Sequence, residues 1–584
     1  MLLDSIIIII AWFILACAYY FWGNLGFRLF KLSLNDDVTS HFARLWLGWG
    51  ISVAVFSFIH LFFPINAYTS IWFFLPAFVV FYRNNKQLFQ FIKQQNFALL
   101  LAVALLTFTI IVFAIQPLSN PDTGFYHLNT IRWLNEYAIV PGLGNLHTRL
   151  GFNQVYFVYC ASIDFYPFFT LYAPHISTTF LWLILCLELI LSRRKEDIIF
   201  LCTLHFLPIT FQWLSSPTTD FASSIFQIIS VKYFLRVLYE TDNKVKASFV
   251  SLAIFIASLS VFIKLSNVFF SVGLILLLLL YTNYNCKEKR CLLCFVRTFS
   301  FIALFTTLWL IRGYIQTGYP LFPSSIGKIN FDWAVDEKYA KLAEKSVYVF
   351  ARLSEYDFNS ELLDGFKWFP TWFGRNIIKL DTIVNSRLQG ISFFYYLLTI
   401  LIFPNIINAY VYSMLVLTIL SILALIIYLA NKCNTSSIGK DKWLIALWGV
   451  IAVSLVIWFL IAPAPRFSNS LSIILFCVGL LLLRTVLMQF KPSFKLVMIS
   501  LFIPCCVNFY FLAHSYGLAY LETHIKEPFR LNLLSKETNN GLPIYLIHDG
   551  YWSYDKYLMS TQDLEFNPNL RLRGMDYQSG FSCR

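Results

Sequence analysis

Apolar residues fall in long unbroken runs along this chain, and polar residues collect in the gaps between them. Ile6 to Trp22, Leu99 to Ile115 and Met414 to Ala430 are each long enough, or nearly so, to cross about 30 Å of hydrocarbon as a helix. The same pattern predicts about fourteen helical spans, near 5–22, 45–63, 68–82, 97–116, 176–192, 197–214, 221–238, 247–263, 266–283, 293–311, 408–430, 443–461, 469–487 and 494–513. Strong barrel-like alternation is absent. The expected fold is therefore an all-α polytopic membrane protein, because in lipid a helix satisfies its own backbone hydrogen bonds.

Composition supports the same class. Of 584 residues 58% are hydrophobic and 13% charged, which excludes an ordinary soluble globule. The first run follows Met1, Leu2, Leu3 and Asp4 with no basic region before it and no small-residue cleavage pattern behind it, and reads as an uncleaved span. A net charge of +13 would suggest nucleic acid in a soluble chain. Here the basic residues sit in short loops between spans, where they set orientation and leave no nucleic-acid partner. Arg28, Lys31 and Arg44, then Arg83, Lys86 and Lys93, then Arg193, Arg194 and Lys195 occupy alternate loops, and Lys287, Lys289, Arg290 and Arg297 continue the series. That side is expected to be the cytoplasm.

The opposite side then receives both termini and three long segments, about 117–175, 312–407 and 514–584. The expected layout is three N-terminal spans in 1–96, a core in 97–311 that includes the loop 117–175, the large loop 312–407, C-terminal spans in 408–513 and an external tail in 514–584. Function is sought in the external segments, since loops on a rigid scaffold carry most binding and chemistry. No inverted repeat is visible, and the notable ionisable residues cluster at one external interface rather than mid-span, which weighs against a transporter. No Walker-type or dinucleotide glycine fingerprint occurs. Cys286, Cys291 and Cys294 lack a fourth ligand nearby, and Cys160 and Cys583 are too few outside the spans for a disulfide framework.

Asp122 follows a span in the stretch Asn120 to His127, at the expected membrane surface. A carboxylate there, beside Tyr126 and His127, is placed to take a proton from an acceptor hydroxyl; it could equally cap a short interfacial helix. His147 and Arg149 follow in the same loop and could line a substrate pocket. Asp220 stands at the start of a span as a second acidic residue or an N-cap. Lys264 interrupts two apolar helices, where an ammonium must snorkel or meet an anion. Arg312 and Arg466 lie at external span ends, against the positive-inside pattern, with guanidinium groups suited to phosphate. Trp333, Trp368, Trp372 and Tyr319 could stack on sugars or simply belong to the interface. The charges between Asp332 and Asp364 have helical spacing and predict a solvated external helix.

With these residues in view the sequence resembles the GT-C superfamily of membrane glycosyltransferases, which use polyprenyl-phosphate-linked sugars. The resemblance rests on Pro121-Asp122 to His127 with Gly144-Asn145 through His147 and Arg149 to Asn153, on Ser216 to Asp220, on Arg312-Gly313-Tyr314 with Thr317 to Pro323, and on Pro465-Arg466-Phe467. It implies a GT-C-like helical bundle in a bacterial inner membrane, with a polyprenyl-phosphate sugar as donor and a glycan, lipid or protein as acceptor. Asp122 would be the catalytic carboxylate, with Tyr126, His127, His147, Arg149 and Asp220 toward the substrate. Lys264, Arg312 and Arg466 would hold the lipid phosphate. The superfamily admits a divalent metal, but no ligand spacing here indicates one. About three helices precede the acidic loop, where many such enzymes have one. A polysaccharide polymerase or ligase using undecaprenyl-pyrophosphate donors is the alternative enzyme, and a transporter or flippase the alternative class.

Overall fold

The computed structural model describes residues 2–83, 95–206, 214–285, 289–353, 363–373, 406–431, 438–487 and 569–583 apart from single positions, with short pieces near 500 and between 534 and 562. Among the described residues ten helices are long and apolar enough to cross a membrane, and the fold is that of an all-α polytopic membrane protein. They are Leu2–Phe30, Val38–Ile59, Phe97–Ala114, Ala173–Leu191, Thr219–Tyr239, Asn243–Ile263, Leu265–Tyr284, Leu293–Thr317, Met414–Asn431 and Lys440–Ile461. Shorter apolar helices, Ala67–Arg83 and Asn469–Arg484, stand at two further expected positions. The span expected over 494–513 lies almost wholly outside the described residues, as do 374–405, Cys286 and most of 503–568.

Polar residues between the apolar runs start several of these helices. Asp37 accepts a bond from the Ser40 amide at 2.9 Å, Asn96 from Leu99 at 2.8 Å and Asp242 from Lys244 at 2.7 Å, so amides left unpaired by the helix geometry are satisfied locally. Leu2–Phe30 pairs closely with Val38–Ile59, and Thr219–Tyr239 with Asn243–Ile263, while Met414–Asn431 packs along Asn469–Leu487.

Within the segment expected to be a polar loop over 117–175, the helix Val155–Asp164 is buried along its whole length against Val38–Ile59 and Ala173–Leu191. Ten residues cannot cross a bilayer, so hydropathy leaves this helix among the loops although it is part of the core.

The bundle also buries a set of ionisable residues that the sequence reading did not place together. Lys232 and Glu188, each at most 1% exposed, pair at 2.6 Å, with Asp197 3.5 Å from the same ammonium. Arg236 lies 3.3 Å from Asp197 and donates to Thr39, and the Trp46 indole donates to Glu188 at 2.8 Å. Four charges of balanced sign bind four helices together here, because a charge is tolerated at such depth only when paired.

Candidate functional site

At the end of the bundle where the long loops gather, four of the sequence-selected residues meet. Asp122 arrives just beyond Phe97–Ala114, at the head of a π-helical turn, Thr123–His127, that runs into the helix Leu128–Glu136. Asp220 lies in the first turn of Thr219–Tyr239, and Lys264 is the residue that ends Asn243–Ile263. Arg466 projects from the single 3-10 turn Pro465–Phe467 between Ile438–Ile461 and Asn469–Leu487.

These side chains form a continuous chain of ion pairs. Arg466 Nη1 donates to Asp122 Oδ2 at 2.8 Å, and its Nε lies 3.4 Å from Asp220 Oδ2. Lys264 pairs with the other oxygen of Asp220 and sits 3.5 Å from the centroid of the Phe467 ring. All four are between 13% and 23% exposed, enough to be reached and too little to be solvated freely. Neither carboxylate caps a helix through its side chain. Asp122 makes no side-chain cap bond, its own amide being held by Asn120 at 2.9 Å, and the helix that contains Asp220 begins after Thr218.

The pairing decides the protonation states. Burial works to raise the Asp122 carboxyl, but the Arg466 guanidinium, followed by His127 and Arg149, outweighs it and holds the group at about 2. Burial pushes His127 down to about 4 against the pull of Asp122, so its imidazole is neutral at ordinary pH. Burial likewise drives the Tyr126 phenol far above its ordinary range, with Asp122 adding to the rise. The Lys264 ammonium is pushed down by burial to about 8 even though Asp220 favours its charge.

The other selected residues divide into neighbours and outsiders. Tyr126 and His127 are buried with ring centroids 4.5 Å apart, and Thr123 Oγ1 lies 3.3 Å from His127 Nδ1. His147 accepts from the Arg149 amide at 3.0 Å and packs on Phe125, and the Arg149 guanidinium stands 5.4–6.0 Å from the rings of Phe152, Tyr126 and Phe125. Arg149 is close enough to act on the Asp122 carboxylate, and His147 is tied to Arg149 through the Arg149 amide. Arg312 does not join the cluster. Its buried guanidinium meets His60 at 2.9 Å, Ser57 at 3.3 Å and Asn153 at 3.3 Å, tying the end of its helix to that of Val38–Ile59.

The loop tryptophans pack against the protein's own side chains. Trp368 and Trp372 are 2% and 5% exposed and pack with Val349, Leu353 and Phe459, while Trp333 stacks on Phe331 at 4.4 Å. Tyr319 is fully buried beside Phe322 and Val335. Phe350, which the sequence reading passed over, and Phe467 of the Pro465-Arg466-Phe467 stretch close the cluster instead, with ring centroids 5.4 and 5.3 Å from the Arg466 guanidinium. Among the described residues no group of three or more His, Cys, Asp or Glu is gathered as a metal site would require.

The site and scaffold thus define a polytopic helical membrane protein with a paired charge cluster at one end. The chain belongs to the family described as Domain of unknown function (DUF8201), whose model matches residues 6–473 and so takes in all four members of the cluster. No curated protein and no solved structure matches it.

Proposed function

We propose that the protein is a membrane glycosyltransferase that moves a sugar, with inversion, from a polyprenyl-phosphate donor to a glycan, lipid or protein acceptor at the outer face of a bacterial inner membrane. The observation that supports it is the convergence of Asp122, Asp220, Lys264 and Arg466 into one ion-paired cluster beside the ends of their helices. The donor phosphate engages Lys264 and Arg466, and the acceptor hydroxyl approaches Asp122. The acceptor O–H proton passes to the Asp122 carboxylate as the acceptor oxygen bonds to the anomeric carbon. The bond from that carbon to the phosphate oxygen breaks, and the phosphate leaves with the electron pair.

Binding and activation are coupled in this scheme. While Arg466 faces Asp122 the carboxylate is a weak base, held at about 2. A phosphate that takes over the guanidinium withdraws the partner that lowers it, and the basicity of Asp122 rises when the donor is in place. The protein in lipid nanodiscs, given a panel of radiolabelled undecaprenyl-phosphate sugars and an envelope-glycan acceptor, should transfer label. Asp122→Asn should lower transfer by at least about 100-fold while leaving thermal unfolding near that of the wild type. Near-normal transfer by that variant removes Asp122 from its role, and failure of the whole donor panel removes the reading.

One observation favours a second reading, transport without chemistry: the buried set Glu188, Asp197, Lys232 and Arg236 lies among the helices, as a substrate or proton path would need. Transport across proteoliposomes that survives Asp122→Asn but is lost in Glu188→Gln would favour it.

A further inference from the structure

The turn that presents Arg466 is pinned by its backbone. Ala462 accepts from Ala464 at 2.8 Å, Ala464 from the Trp458 indole at 3.0 Å and from Phe467 at 3.0 Å, and Pro465 from the Ser468 hydroxyl at 3.0 Å. Three further carbonyls are held from outside the turn and its two helices. Leu460 and Ile461, at the C-terminal end of Ile438–Ile461, accept from Arg352 Nη2 at 2.6 Å and Nη1 at 2.8 Å, and Pro463 accepts from the Trp372 indole at 2.8 Å.

Arg352 ends the helix Glu337–Arg352, which the sequence reads as solvated, yet it is 1% exposed. Its guanidinium lies 3.3 Å from the Tyr348 ring centroid and 5.0 Å from that of Trp368, and Phe350 of the same turn reaches the Arg466 guanidinium. A fixed cation on terminal helix carbonyls suits both their unpaired lone pairs and the negative end of the helix dipole.

We infer that Arg352, seconded by Trp372, is a positioning residue for Arg466: the helix Glu337–Arg352 and the Trp372 indole hold the Leu460–Phe467 stretch in the register that delivers Arg466 to Asp122 and Asp220. Arg352 touches no member of the charge cluster and acts through the backbone between. The long loop thus sets the geometry of the site by docking its own buried corner on the end of a membrane helix. The inference rests on reading the cluster as the reactive site, but its test reads geometry and needs no turnover, so it stands or falls apart from glycosyl transfer.

The test is amine labelling of the full chain in nanodiscs at pH 8, with a water-soluble acylating reagent and mass spectrometry. Lys264 packs on Phe467 of the pinned turn and reports its position, while Lys232, buried among the helices, reports the integrity of the bundle. Arg352→Gln should raise the Lys264 labelling rate about tenfold, as expected for loss of charged hydrogen bonds, with Lys232 still protected. Arg352→Lys, one donor group in place of a fork, should fall between, and Trp372→Phe, which removes the indole donor to Pro463 while keeping an aromatic ring among Trp368, Phe369 and Phe459, should raise the rate about threefold. Wild-type rates at Lys264 in both Arg352→Gln and Trp372→Phe overturn the inference. Should Arg352→Gln also expose Lys232, the milder Trp372→Phe decides alone.

Discussion

Lys264 is the residue at which the charge of the cluster can be adjusted. Burial brings its ammonium down to about 8, with Asp220 opposing and Arg466 assisting the fall, whereas in the unfolded chain it keeps its proton to above about 10. Between these values the unfolded state binds the proton and the native state does not, so stability should rise with pH from about 8 to about 10. The labelling rate of Lys264 should accordingly reach half its plateau near pH 8, well before that of an exposed lysine. A midpoint above 10 would remove the desolvated environment from the account. The four clustered charges were legible in the sequence because charge is scarce and these residues stand at span ends on the sparse side. Their pairing was not legible, since it joins positions as far apart as 122 and 466. Arg312 satisfies the same criterion and is spent on His60, Ser57 and Asn153, and no local pattern distinguishes the two outcomes.

At the scale of elements, the last described residues fasten the first long loop. Phe581 donates to Pro141 at 3.0 Å, Asn145 donates to Phe581 at 3.3 Å, and Phe581 packs with Trp133, Leu143 and Leu146. Two glycines with positive φ allow this approach. A Cβ on Gly142 would lie 2.1 Å from the Phe581 carbonyl oxygen, and one on Gly580 would lie 2.2 Å from that of Pro141. Gly580→Ala should therefore release the Phe581–Ser582 strand, at a local cost of roughly 2 kcal/mol, and make the half-buried Cys583 thiol react with maleimide several-fold faster. An unchanged Cys583 rate would show that the strand holds by its side chains alone. The long spans were plain in the hydropathy, while this clasp and the buried Val155–Asp164 helix were not. Both consist of short segments whose burial depends on which distant surface they meet, and period and length carry no record of that surface.

At the scale of the whole molecule, two sets of two acidic and two basic side chains occupy different settings. The cluster around Arg466 is partly exposed and its members meet at helix ends, so a ligand can exchange with the internal partners. The set around Lys232 is closed off, with Glu188 bonded to Trp46 and Arg236 to Thr39, and it ties together the helices that begin and end near residues 38, 191, 195 and 239. Its role in the enzyme reading is to hold helix register. A buried ion pair is weak support as a whole, but removing one partner strands the other in a medium that cannot solvate it. Lys232→Met should thus cost about 3–5 kcal/mol and lower the melting temperature and yield of membrane-inserted protein. Adding Glu188→Gln to it should recover most of that loss, because the stranded charge is then gone. Transfer per folded molecule should be unchanged in the double variant, since neither residue touches the cluster near Asp122. A double variant that folds as well as the wild type yet has lost its activity would move Lys232 and Glu188 from scaffold to function, and with them the balance between catalysis and transport.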